Sequence, residues 1–115
     1  MYPPTGPRPT PPRNVTAVVR NDNSILLTWL PSLNPIVPVF WYVVDYRETG
    51  TSIWRRYDGH VLETSGTRME MEGFEPGNYE IRVVAYGVLA FSVPSNIVTV
   101  KIEEGRLFSF YHCYL

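Results

Sequence analysis

The chain has 115 residues, room for one domain; its 44% hydrophobic content excludes disorder, and a net charge of −1 offers nothing to nucleic acid or anionic lipid. A single cysteine, Cys113, excludes an intrachain disulfide, so packing alone must hold the core. No apolar run approaches the roughly 20 residues of a membrane span, and the Pro-rich start lacks the apolar segment of a signal peptide. The chain is therefore expected to be either cytosolic or a piece of a longer secreted protein.

Residues 1–13, MYPPTGPRPTPPR, hold six prolines. Proline lacks an N–H and fixes φ, so this segment is expected to be an extended linker; its PxxP spacings also fit an SH3 or WW ligand loosely. From Asn14 short apolar runs alternate with polar residues. NVTAVV (14–19) is the first predicted strand, and NDNS (21–24) turns the chain into ILLTWL (25–30), where Ile25, Leu27 and Trp29 share a face. PSLNPIVP (31–38) has three prolines and is a loop. VFWYVVDYR (39–47) follows with Tyr42, Val44 and Tyr46 on one face. SIWRRYD (52–58) is a shorter strand around Trp54, GHVLETSG (59–66) is loop or edge, and TRMEMEG (67–73) alternates Met69 and Met71 with charges. YEIRVVAYG (79–87) and SNIVTVKI (95–102) complete the set.

Seven short strands with period-two alternation, almost no helical periodicity and turns about every 8–12 residues predict an all-β, seven-stranded antiparallel, immunoglobulin-like β-sandwich. Each sheet is expected to have one buried and one wet face. The stretch GFEPGNYEIRVVAY (73–86) fits the corner where a chain crosses between sheets. Pro76-Gly77 supplies a fixed and then a permissive φ. Phe74 plugs the core below the turn, and Tyr79 is a corner tyrosine whose hydroxyl bonds back to the upstream backbone. Ile81, Val83 and Ala85 continue its inward face.

These residues carry a resemblance. Pro12, Val15, Trp29, the YxVxYR of Tyr42, Val44, Tyr46 and Arg47, then Trp54, Phe74, Pro76, Gly77, Tyr79, and Ser92, Pro94 and Ser95 together resemble a fibronectin type III domain over roughly residues 11–102. That family usually has one more residue between the plug and the corner tyrosine. A narrower likeness is carried by YEIRVVAYGVLAFSVPSN (79–96), PPRNVTAVV and SILLTW. These are similar to membrane-proximal type III domains of the Turtle/Borderless branch of the immunoglobulin superfamily, whose members are neuronal cell-surface adhesion proteins. The division expected is a linker at 1–13, the type III domain at 14–102, and a C-terminal tail at 103–115 that is foreign to the strand pattern. Its LFSFYHCYL (107–115) is apolar and aromatic, and the tail either packs on the outer patch, adds a strand, or is non-native.

No catalytic constellation is legible. His60 and His112 have no spaced partners for a metal, and Cys113 beside His112 lies in a tail that offers no rigid frame. No enzyme activity, cofactor or metal is therefore expected. Asn14-Val15-Thr16 is an N-x-T sequon, which makes Asn14 a glycosylation site on the secretory route; such a tripeptide also arises by chance. If Tyr42, Val44 and Tyr46 point inward, Trp41, Val43, Asp45 and Arg47 point outward, beside Glu80, Arg82, Val84 and Tyr86. Trp41, Val43, Arg82, Val84 and Tyr86 are accordingly the candidate protein-binding patch. The competing arrangements are a loop or the tail covering Trp41, or Trp41 stacked on Arg82. In GVLAFSV (87–93), Leu89 or Phe91 is expected to tuck under the sandwich. Arg55-Arg56 reads as a solvated strand edge.

The resemblance implies a non-enzymatic extracellular module of a plasma-membrane adhesion or recognition receptor, acting as spacer and protein-interaction surface. Its implied partner is a protein, either a second copy or another cell-surface protein, with a monomer or weak homodimer as the expected state. No nucleic-acid binding and no membrane insertion by this fragment are expected. The alternatives are a spacer without a ligand, or a type III domain of a receptor phosphatase or other signalling receptor. A cytokine receptor is disfavoured because SVPSN stands where that class carries WSxWS.

Overall fold

The structure, a computed structural model, describes residues 7–33, 37–59, 61–62 and 66–104. His60, His112, Cys113 and the tail from residue 105 onward lie outside the described residues. The strands are β1 (Arg13–Val19), β2 (Ile25–Leu30), β3 (Trp41–Glu48), β4 (Arg55–Arg56), β5 (Val61–Leu62), β6 (Arg68–Met71), β7 (Gly77–Tyr86) and β8 (Val98–Ile102). β1, β2 and β6 form one antiparallel sheet in that order. β4, β3, β7 and β8 form the other. These are the seven strands of the expected sandwich; β5 is a two-residue segment that pairs with the start of β3 inside the 59–66 stretch.

Period-two alternation builds the core. Ile25 and Leu27 are fully buried and Trp29 nearly so, as their shared face requires. Tyr42 and Val44 of β3, Ile81, Val83 and Ala85 of β7, and Val100 and Ile102 of β8 meet them from the larger sheet, with Val15 and Met71 completing the cluster. Trp29 and Tyr42 meet edge to face across the sheets, with ring centroids 5.4 Å apart.

Two devices replace ladder hydrogen bonds where strands stop short. Pro94 has no N–H, and β8 begins only at Val98. The backbone of β7 is instead met by serines. Ala85 N donates to Ser92 Oγ (3.0 Å) and Val83 N to Ser95 Oγ (2.9 Å), while Ser92 N and Ser95 N donate back to the Ala85 and Val83 carbonyls. At the other edge, Asn96 accepts from Val15 N (3.0 Å) and donates to Val15 O (3.1 Å), tying β1 to the approach of β8. The β1 register is interrupted between Arg13 and Thr16, and Asn14 sits in this irregularity with φ 53° and an exposed side chain.

The corner forms as the sequence predicts. Gly77 takes φ +152°, and Tyr79 Oη donates to the Glu75 carbonyl at 2.7 Å, four residues upstream. The shortened spacing is accommodated by close ring packing, Phe74 against Tyr79 at 4.9 Å and against Tyr46 at 5.2 Å. Burial, then the negative charges of Glu48 and Glu75, then the neighbouring Tyr46, raise the Tyr79 pKa. The folded state therefore holds the phenol proton longer than the unfolded chain, where tyrosine ionises near pH 10. Its contribution is complete below that pH and is lost as pH rises toward the folded pKa. Tyr79→Phe is expected to lower stability by about 1 kcal/mol through the lost hydrogen bond. It should also flatten the decline in stability above about pH 10. Urea unfolding of both proteins at neutral and alkaline pH checks both effects.

Candidate functional site

The outer face of the larger sheet is set by the β3–β7 register. Trp41 stands opposite Tyr86, Val43 opposite Val84, Asp45 opposite Arg82 and Arg47 opposite Glu80. On the neighbouring strand Arg56 stands opposite Asp45. The structure thus brings all five candidate binding residues onto one face, at two-residue intervals along two paired strands.

That face is a layer of charge and aromatic contacts, not a wet surface. Asp45 is 5% exposed and holds two guanidiniums: Arg56 Nε donates to Oδ1 at 3.1 Å, and Arg82 Nε approaches Oδ2 at 3.4 Å. Arg47 Nε donates to Glu80 Oε1 at 2.7 Å. Trp54, just ahead of β4, packs on two arginines, with Arg82 4.1 Å and Arg47 4.4 Å from its ring centre. Burial opposes the charge of Arg56, but hydrogen bonds to Asp45 and Tyr86 together with the Asp45 charge raise its pKa above the ordinary arginine value.

This layer corrects one expectation and departs from one of the competing arrangements. Val43 and Val84 point away from the intersheet core, yet each is only 5% exposed. The reason is Arg56. It bonds to Asp45 and also donates from Nη1 to Tyr86 Oη (2.9 Å), spanning the two levels on either side of the valine pair. The two valines are therefore a floor beneath the surface. Arg82, for its part, stacks on Trp54, while Trp41 stacks on Tyr86 at 6.3 Å with the rings inclined by 17°. Sequence alternation had no means of finding Trp54 and Arg56 as part of this face, because both come from an irregular stretch around a two-residue strand.

At the β3 start the layer opens into exposed aromatic surface. Trp41 and Phe40 are 36% and 44% exposed. Phe91 lies 5.4 Å from the Tyr86 ring, with Arg8 5.7 Å above it. The expectation that Leu89 or Phe91 tucks inward is overturned: both are exposed, as are Val88 and Val93, and the buried residues of this loop are the small Ala90 and Ser92. Close backbone approach leaves no room for more. A Cβ on Gly87 would lie 3.0 Å from Val37 Cγ1 and 3.1 Å from the Pro38 carbonyl oxygen. The Pro-rich lead-in packs here too, with Pro9 buried and Ser32 Oγ donating to the Thr10 carbonyl at 2.6 Å. Asn14 is exposed on β1, away from this face, with the sequon threonine paired to Thr28 (Oγ1 to Oγ1, 2.7 Å). Among the described residues no three His, Cys, Asp or Glu side chains group as metal ligands.

Residues 10–101 match the fibronectin type III domain family. Protein turtle homolog B of Rattus norvegicus is 35% identical over 107 residues, covering 90% of this chain and 8% of that protein. Neuronal cell adhesion molecule of the same organism is 30% identical over 91 residues, covering 76% of this chain and 7% of that protein. The chain thus spans less than a tenth of the length of either relative. Among solved structures, titin kinase and its flanking domains superposes with a TM-score of 0.72 at 25% identity, covering 93% of this chain and 19% of that one.

The geometry makes Asp45 the anchor of the outer layer. Asp45→Ala removes the acceptor shared by Arg56, which is half-exposed, and Arg82, which is more buried, and should destabilise the domain by about 1–3 kcal/mol. Arg56→Ala, at a more solvated position, should cost under about 1 kcal/mol. A double-mutant cycle by chemical denaturation measures the coupling between them.

Proposed function

The chain belongs to the fibronectin type III family, and on that premise we propose that it is a non-enzymatic, extracellular module of a cell-adhesion or recognition receptor at the plasma membrane, serving as both spacer and protein-interaction surface. Homology to a neuronal cell adhesion molecule supports the adhesion setting. In that setting the Asn14 sequon, exposed on β1, is proposed to carry a glycan. The observation that carries the interaction role is the aromatic surface where the outer layer opens: Phe40, Trp41 and Phe91 exposed beside Tyr86 and the loop residues Val88 and Leu89. Exposed aromatics near a polar rim are the composition of binding centres. In the proposed site Trp41 and Tyr86 make contact, Arg82 holds the rim, and Val43 and Val84 act from beneath by setting the height of the layer.

A spacer without a ligand is the second reading. It is favoured by the mutual pairing of Asp45, Arg56 and Arg82 and of Arg47 with Glu80, which leaves those charges already satisfied.

Sedimentation equilibrium at micromolar concentration separates the two. Under the interaction reading with a second copy as partner, residues 1–102 self-associate like the full chain. Trp41→Ser combined with Phe91→Ser should then give a folded monomer, with unchanged circular dichroism. Monomers throughout would favour the spacer or a different partner protein, and association confined to the full chain would assign it to the tail.

A further inference from the structure

A second feature lies at the opposite end of the β3–β7 ladder, where Glu48 pairs with Tyr79, about 24 Å along the strands from Trp41. A cavity of about 650 Å³ opens there between the turn after β3 and the corner before β7. Three rings stand in its wall: Tyr46, Phe74 and Tyr79, packed on one another at 5.2 and 4.9 Å. Its charged lining residues are Glu48, Glu75 and Arg55. Each of these three is exposed, and none forms an ion pair among the described residues, in contrast to the paired charges of the outer layer. Ile53, also lining the cavity, is 71% exposed.

This combination selects its occupant by charge and shape. Two carboxylates against one guanidinium make the lining net negative, which disfavours an anion. Aromatic walls attract a cation through their ring faces. A planar guanidinium satisfies both at once, since it stacks on rings and pairs bidentately with carboxylates, whereas an ammonium does only part of this. Exposed Ile53 offers apolar contact to an aliphatic stem. We propose that this cavity receives an arginine side chain presented by a partner polypeptide, held between the aromatic wall and the carboxylates of Glu48 and Glu75. The pKa of Tyr79 is raised by burial first, and then by the negative charges of these same two carboxylates, which act on the ring in the wall. The site shares no residue with the outer aromatic surface and does not rest on the role proposed for it.

The test is an NMR titration of the isotope-labelled full chain with N-acetyl-arginine methylamide, and with the neutral isostere N-acetyl-citrulline methylamide as control. The arginine compound should shift the backbone amides of Gly50, Gly73 and Glu75, and the citrulline compound should not. Glu48→Gln and Glu75→Gln should each weaken binding by about three- to tenfold, and Arg55→Gln should strengthen it by a similar factor. All three side chains are exposed, so these changes spare the core, and the two-probe comparison needs no variant at all. Bound arginine should also lower the Tyr79 pKa, read from phenolate absorbance. Trp41→Ser with Phe91→Ser should leave the titration unchanged. Equal shifts from both probes, no shifts with either, or binding indifferent to the Glu48 and Glu75 changes would overturn the proposal.

Discussion

The antiparallel pairing of β3 with β7 is the constraint on which the rest of this domain depends. It runs unbroken from Trp41–Tyr86 to Glu48–Tyr79. Because side chains alternate, one register decides both faces at once. It sends Tyr42, Val44, Ile81, Val83 and Ala85 into the core and lines up Trp41, Val43, Asp45 and Arg47 against Tyr86, Val84, Arg82 and Glu80 outside. A slip of one residue in either strand would carry a carboxylate and an arginine into the core, so the register is strongly specified. The same ladder fixes the aromatic surface at one end and the negatively lined cavity at the other.

The outer layer shows how a sheet face can be dry without a second sheet over it. Asp45 is buried, and a buried carboxylate is tolerable only when its oxygens are occupied. Arg56 and Arg82 occupy both, each arriving from a different neighbouring strand. Their long side chains then lie across the face: Arg82 under the Trp54 ring, Arg56 from Asp45 to the Tyr86 hydroxyl. The apolar stems and flat guanidiniums cover Val43 and Val84 as effectively as another layer would. A two-residue strand and the tryptophan ahead of it thereby gain a structural weight that their length conceals.

The two ends of the sandwich differ in chemistry. At the β3 start the exposed residues are aromatic and aliphatic, with Arg8 over Phe91 as the nearby charge. At the β3 end the charges are mainly carboxylates, and the aromatic rings are recessed. A rigid sheet between them holds these unlike surfaces at constant separation, which is the physical content of a spacer that also presents contacts.

Much of this was determined by the amino-acid sequence alone. Alternation over ILLTWL, WYVVDYR and YEIRVVAY sets the inward residues, since a strand has only two faces. Pro76-Gly77 and Tyr79 set the corner, since a fixed φ followed by a permissive one favours a tight turn, and the corner hydrogen bond formed despite the shortened spacing. The same alternation correctly put Trp41, Val43, Arg82, Val84 and Tyr86 on one face. What alternation cannot say is whether a face is covered. That was decided by tertiary structure, because the cover comes from side chains distant in sequence, Arg56 and Trp54, whose reach depends on where β4 lands. The inward tuck expected of Leu89 or Phe91 failed for a related reason. Val37, Pro38 and Pro9, brought from two other segments, crowd Gly87, and the space inside this turn goes to Ala90. Local periodicity fixes direction; only the meeting of remote segments fixes exposure.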